Sequence, residues 1–407
     1  MSAPELYPFD AVILLDAALA NVKVCGLTIA ERARRVATRV GAERVLLLDQ
    51  TEASGLQAWL GAAEPVGGRA LLVIDCTGQI VHMPLLQPLL AASEAGMRVA
   101  VDGADAQFAG ALWCSPVERS KVVAALMATQ PMHGLALATH LADIAKAALA
   151  SAGATAITIA PGAIARHSVR TAAERKAAIH FLFGLVRKAQ DTWLIRTVNR
   201  RVSYPFTRLL LPTKISPNML SIAVFVIGAI GCWILARPTY WSAVAGTLLV
   251  LFAGYLDGCD GEIARIRLES SKLGAWIDTI ADEVTTVLFL IASGLHVYRK
   301  LGEPWIGWTI VIGTIGALLS IYIIYYYLIV VAHSGNSQDY PSSQGGIASA
   351  LRVLVQRNII NIASVIFALV DRFATLYMLV ALGGIVTAVI LIPDHIALRW
   401  KRRRSAT

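Results

Sequence analysis

The chain has 407 residues, of which 56% are hydrophobic and only 15% charged, too apolar a balance for an ordinary soluble protein of this length. Its formal charge of +9 raises nucleic acid as a partner. The densest basic run, Arg399-Trp400-Lys401-Arg402-Arg403-Arg404, directly follows an apolar segment, so it reads as a cytoplasmic anchor on lipid and no nucleic acid is expected.

Residues 1–180 alternate short apolar runs with charged helical patterns. Ala11–Leu15, Arg44–Leu48, Ala70–Ile74 and Arg98–Val101 predict strands, and Ala156–Ala160 adds one more. Thr28–Val40, Leu85–Ala95 and Ala172–Lys188 predict helices. Such a rhythm implies an α/β domain with a parallel sheet under covering helices. Residues 1–10 lack a basic start and Asp16 interrupts the apolar run that follows, so no signal peptide is expected.

Residues 181–216 form a juxtamembrane linker. Within it Trp193, Leu194, Ile195, Val198 and Phe206 alternate with Arg196, Arg200, Arg201 and Arg208, a pattern suited to the lipid–water interface. Residues 217–407 predict an all-α domain of six crossings, near 218–236, 241–264, 272–297, 305–331, 358–370 and 373–394. An even number puts both termini on one side, and the basic residues at both ends favour the cytoplasm, as in a multi-pass protein of the inner membrane. Asp371-Arg372 reads as a loop ion pair. Cys25, Cys76, Cys114, Cys232 and Cys259 show no ligand or redox spacing and read as packing residues of a reducing compartment.

Four aspartates sit inside this apolar sequence: Asp257-x-x-Asp260-Gly261-x-x-Ala264-Arg265, then Gly274-x-x-x-Asp278-x-x-x-Asp282. A carboxylate at the centre of a membrane helix costs about 2.5–3.5 kcal/mol, so each is a functional candidate. At about 100° per residue, Asp257, Asp260, Gly261 and Ala264 share one helix face. Gly274, Asp278 and Asp282 share a face of the next helix, joined by Ser271. Two helices can thus gather four carboxylates, and like charges so close need protons or cations. Hard oxygen ligands favour two divalent ions, Mg²⁺ or Mn²⁺. The residues by themselves leave open a phosphoryl-transfer site, an ion path in a cation transporter, and a structural cluster in a membrane scaffold with a nucleotide-sensing domain.

At every fixed position the motif resembles the signature of the CDP-alcohol phosphotransferase family, and the likeness covers roughly residues 190–395, including Pro217-Asn218 at the first crossing. The resemblance implies six membrane helices, a homodimer, and transfer of a substituted phosphate from a CDP-alcohol donor to an acceptor alcohol with release of CMP. It implies Asp257, Asp260, Asp278 and Asp282 as metal ligands, with Asp282 also the catalytic base. Gly261, Ala264, Arg265, Ser271 and Gly274 would surround the CDP moiety. Arg208, Lys214, Arg352 and Arg357 are candidates for a phosphorylated acceptor or for lipid headgroups.

The juncture from Arg187-Lys188 through Asn199–Ser203 is similar to that of fused members, including the di-myo-inositol phosphate phosphate synthases. The acceptor is then an inositol phosphate or another polar polyol phosphate, with phospholipid synthesis from CDP-diacylglycerol as the alternative. Gly26–Ile29 and Val45–Leu48 resemble part of a nucleotidyltransferase's opening unit. Asp16–Lys23 lacks the glycines of a phosphate loop, and Asp75 lacks partners for a metal site, so a degenerate nucleotidyltransferase-like domain is expected.

Overall fold

A computed structural model of the protein describes residues 8–49, 56, 59, 68–91, 96–104, 106–128, 134–151, 153–159, 166–185, 200–331 and 357–383. The chain forms two compact units. One comprises Met1–Asp191 with Leu211–Thr213 and Glu262–Glu269; the other comprises Thr192–Leu210, Lys214–Gly261 and Ser270–Thr407.

In the first unit, β1 (Phe9–Leu15) is buried along its whole length because both faces of its sheet are covered. Ala11, Ile13 and Leu15 enter one core with α1 (Ile29–Arg39), α2 (Met83–Ala91) and α5 (Ala172–Leu185). Val12 and Leu14 enter the opposite core with α3 (Pro116–Met127) and α4 (Gly134–Ala150). The central sheet also contains β4 (Arg44–Leu48), β5 (Ala70–Cys76), β7 (Met97–Asp102), β8 (Phe108–Cys114) and β9 (Ala154–Ile159), in the order β4-β1-β5-β8-β7-β9.

The expected α/β domain is present, but its sheet is mixed rather than parallel. β8 pairs antiparallel with both β5 and β7, whereas β1/β4, β1/β5 and β7/β9 are parallel. The cause is the connection. Only a short turn separates β7 from β8, too few residues for a parallel crossover, so the chain returns beside itself. The β8 sequence Phe-Ala-Gly-Ala-Leu-Trp-Cys has no β-branched residue, which hid it from pattern reading.

Between β1 and α1 the backbone makes a turn and a tight hairpin, β2 (Lys23–Val24) and β3 (Leu27–Thr28), closed by Cys25 and Gly26 at φ 52° and 81°. Two successive positive φ values are what a two-residue hairpin turn needs. Thr28 then caps α1 by accepting from the Glu31 amide at 3.1 Å. Asp75 is occupied locally: Thr77 donates through its amide at 2.9 Å and its hydroxyl at 2.6 Å, and Gln79 donates at 2.9 Å. Gln79 opens β6 (Gln79–Val81), which pairs with β10 (Arg166–Ser168).

The second unit is helical. After α6 (Arg200–Leu210), four helices among the described residues are long and apolar enough to cross a membrane: α7 (Pro217–Leu235), α8 (Tyr240–Ile266), α9 (Lys272–Leu301) and α10 (Pro304–Tyr326), the last continued by a π turn, Tyr327–Val331. Two shorter apolar helices follow, α11 (Arg357–Leu369) and α12 (Phe373–Gly383). The remainder of the sixth expected crossing, residues 186–199, residues 332–356 and the terminal basic cluster lie outside the described residues.

Exposed Ile222, Val226 and Ile230 on α7 and Ile312 and Ile315 on α10 present apolar surface suited to lipid. Trp233, Trp241, Trp305 and Trp308 gather at the α7–α8 and α9–α10 turns, as in an interfacial aromatic belt. Helices α7 and α8 meet backbone to backbone: a Cβ on Gly246 would lie 2.7 Å from the Leu235 nitrogen and 2.8 Å from the Gly231 oxygen. Asp371 pairs with Lys300 at 2.6 Å rather than with its neighbour Arg372, because Lys300 at the end of α9 faces it across the turn.

Asp10 on β1 ties the first unit together. It is fully buried, pairs with Arg44 at 2.6 Å and Arg119 at 2.8 Å, and has Arg69 at 3.5 Å. Burial pushes its carboxyl up, but the Arg44 and Arg119 guanidiniums outweigh burial and hold it below its usual 3.8. A depressed carboxylate contributes stability above its unfolded value and loses it as pH falls through the folded one. Asp10→Asn is therefore expected to cost about 3 kcal/mol at pH 7 and to shrink the loss of stability below about pH 4. Amide-exchange protection of β1 in the full chain, corrected for intrinsic rates, measures both; unchanged protection at pH 7 would contradict the assignment.

Candidate active site

The motif residues lie on two consecutive helices joined by a short turn. Asp257, Asp260 and Gly261 occupy the second half of α8, with Ala264 and Arg265 in its last turn. Ser271 caps α9, its hydroxyl accepting from the Gly274 amide at 2.9 Å, and Asp278 and Asp282 follow on that helix. Sequence spacing put each set on one face, and the fold turns three of the four carboxylates to a common point. One oxygen each from Asp257, Asp278 and Asp282 lie within 4.8 Å of one another.

Asp260 has a different environment. It is only 5% exposed, and its carboxylate accepts a hydrogen bond from Ser221 on α7. The same helix approaches the start of α9: a Cβ on Gly274 would meet Asn218 Oδ1 at 2.8 Å, so glycine is what lets the two helices close. Sequence reading passed over Ser221, although a hydroxyl one turn beyond Pro217-Asn218 in an apolar helix was a visible signal.

Arg357, the first residue of α11, comes to the cluster from far along the chain. Its guanidinium donates to Asp257 at 2.8 Å and pairs with Asp282 through its other terminal nitrogen. Arg208 on α6 and Lys214 beyond it are exposed, and Arg352 lies outside the described residues. Glu283, next to Asp282, turns away and accepts from Tyr325 of α10 at 3.2 Å. His296 is buried, 2.6 Å from the Arg237 carbonyl, and is structural.

Converging carboxylate oxygens form a donor set suited to a hard divalent cation. The comparisons with known proteins agree. Residues 214–393 match the family model for CDP-alcohol phosphatidyltransferase. This segment is a CDP-alcohol phosphatidyltransferase domain.

Among curated relatives, the "Bifunctional IPC transferase and DIPP synthase" of Aquifex aeolicus is 30% identical over 132 residues, 32% of this chain and 30% of that protein. The protein of the same name from Archaeoglobus fulgidus is 34% identical over 121 residues, 30% of this chain and 24% of that one. The chain thus spans less than a third of the length of these two relatives. A crystal structure of Mycobacterium tuberculosis phosphatidylinositol phosphate synthase with CDP-DAG bound is 18% identical over 48% of this chain and 94% of that one. Its TM-score of 0.37 is too low to argue from.

If the phosphatidyltransferase domain gathers cations through this cluster, Mn²⁺ binding to the detergent-solubilised protein is measurable by electron paramagnetic resonance. Asp278→Asn should weaken it by about tenfold or more, while Arg208→Ala leaves it unchanged. Equal affinity in Asp278→Asn and the wild type would remove the metal from the cluster.

Proposed function

We propose that the protein is an integral-membrane CDP-alcohol phosphotransferase, moving a substituted phosphate from a CDP-linked donor to an acceptor hydroxyl with release of CMP. The observation that carries this is the convergence of Asp257, Asp278 and Asp282 within 4.8 Å inside a domain of that family. Two divalent cations, Mg²⁺ or Mn²⁺, held by these three residues and Asp260, would polarise the phosphoryl oxygens and ease departure of CMP.

The chain's own residues do the rest. Asp282 takes the proton of the acceptor hydroxyl as its oxygen attacks the donor's β-phosphorus in line. The bond from that phosphorus to the bridging oxygen breaks, and CMP leaves with the electron pair. Arg265 holds donor phosphate, and the small residues Gly261, Ala264 and Gly274, with Ser271, leave room for cytidine. Arg357, placed against the base, suits an acceptor that itself carries phosphate, such as an inositol phosphate or another polyol phosphate. The names of the Aquifex and Archaeoglobus relatives support that class.

A second reading, phospholipid synthesis from CDP-diacylglycerol, is favoured by an apolar groove between α9 and α10. It measures about 330 Å³ and is lined by Trp276, Ile280, Val284, Leu318 and Tyr325, among others, a surface that takes an acyl chain. On either reading the enzyme is a homodimer of the inner membrane whose site and termini face the cytoplasm. The first unit carries no nucleotidyl transfer. In support, its β1–α1 connection is a tight hairpin and Asp75 is saturated by Thr77 and Gln79.

The test is incubation of the reconstituted protein with a panel of CDP-alcohols and acceptors, scored by CMP release and product mass. Turnover should require Mg²⁺ or Mn²⁺ and fall by at least about a hundredfold in Asp282→Asn. Metal-dependent donor binding with no CMP would point to a scaffold, and ion flux without nucleotide to a transporter. CTP with any polyol phosphate should yield no pyrophosphate; robust release would restore catalysis to the first unit.

A further inference from the structure

The last turn of α8, which carries the motif residues Ala264 and Arg265, ends in an unusual way. The Leu268 amide donates to the Arg265 carbonyl at 3.3 Å and the Glu269 amide to the Ala264 carbonyl at 2.7 Å. This is the bonding of a Schellman cap, whose left-handed residue is usually glycine. Here it is Leu268, at φ 58°. A leucine reaches that conformation only when its surroundings hold it there, and strain of this kind gathers at functional sites.

The surroundings belong to the first unit, which includes Glu262–Glu269. The Leu268 side chain is 7% exposed and packed in the core beneath α1. Three arginines of α1 then take the carbonyls the cap leaves over. Arg32 donates to Ile266 at 2.8 Å, Arg35 to Arg267 at 2.9 Å and Arg39 to Leu268 at 3.3 Å. Arg35 also pairs with the Glu269 carboxylate at 2.7 Å. Every carbonyl from Ala264 to Leu268 therefore has a donor.

The hairpin between β1 and α1 joins in. Val24 accepts from Arg32 at 3.2 Å, and a Cβ on Gly26 would lie 2.2 Å from the Leu211 carbonyl. Burial pulls Arg32 down to about 10, which still leaves it charged at neutral pH.

From this convergence we propose that the first unit is a clamp on the catalytic motif, with Arg32 and Arg35 as positioning residues that hold the strained turn carrying Ala264 and Arg265. The inference rests on the phosphotransferase reading for its kinetic consequence, because Arg265 is there the contact to donor phosphate. It also gives the domain a purpose that needs no nucleotide chemistry: the hairpin standing where a phosphate loop would be has become part of the grip.

Arg32 is fully buried, and replacing it endangers the fold. The test therefore uses Arg35, about a quarter exposed, with Arg34 as control. Arg34 is the adjacent cation on the same helix, pairs only with Glu31 among the described residues, and touches none of the turn's carbonyls. In the reconstituted full chain, Arg35→Ala should raise the KM for the CDP-linked donor and lower kcat/KM by about tenfold to a hundredfold. Mn²⁺ affinity should stay at the wild-type level, Arg35→Lys should recover part of the loss, and Arg34→Ala should lose none.

Amide exchange at Arg267, Leu268 and Glu269 should quicken in Arg35→Ala and not in Arg34→Ala. Unchanged exchange in Arg35→Ala, equal effects of the two alanine variants, or loss of Mn²⁺ affinity alongside donor affinity would each overturn the clamp. Should the wild type release no CMP, the activity reading fails and the exchange measurement alone decides whether the clamp holds.

Discussion

Carboxylates inside apolar helices repel one another and pay for lost water, so a fold that gathers three of them must supply compensation in the same place. In this protein Arg357 lies between Asp257 and Asp282, and Ser221 satisfies Asp260. The converging oxygens of Asp257, Asp278 and Asp282 are what a divalent cation uses. Without that balance the cluster would cost several kcal/mol per charge. With it, the same low-polarity surroundings strengthen every electrostatic contact made to a phosphate. The rest of the membrane unit makes the gathering possible: glycines at 231, 246 and 274 let α7, α8 and α9 approach closely enough for side chains from three helices to share one site.

Residues of α8 fall in both units. Its first part packs in the membrane unit with the aspartates, and its last turn, from Glu262, belongs to the α/β unit. One helix thus carries Asp257 and Asp260 in one unit and Ala264 and Arg265 in the other. The α/β unit retains a doubly covered sheet, yet its opening loop is a hairpin and its Asp75 is spent on local hydrogen bonds.

Much of this was legible in the sequence, and the exceptions share a cause. The aspartate face of α8 and α9 followed from helical periodicity alone, since all the relevant positions lie on two neighbouring helices. The strands β1, β4, β5, β7 and β9 were visible as apolar runs because both faces of that sheet are buried. What periodicity cannot show is which distant residue arrives at a site. Ser221, Asn218 and the pairing of Arg357 with two aspartates depend on helix packing. So does the split between Asp260 and the other three, which spacing alone placed together. The antiparallel β8 was missed because Ala109, Gly110 and Ala111 lack strand character and its direction is set by a short turn. Arginines 32, 35 and 39 lie in the predicted helix Thr28–Val40 with nothing in the sequence to single them out; their contacts to the Ile266–Glu269 turn come only with the fold.

The account stands on a shared cation centre among Asp257, Asp278 and Asp282. Anomalous diffraction at the manganese edge from crystals grown with Mn²⁺ locates such a centre directly. The account predicts density bounded by these three carboxylates, with Arg357 displaced from at least one of them. Manganese bound elsewhere, with Arg357 still bridging Asp257 and Asp282 at saturating Mn²⁺, would contradict it.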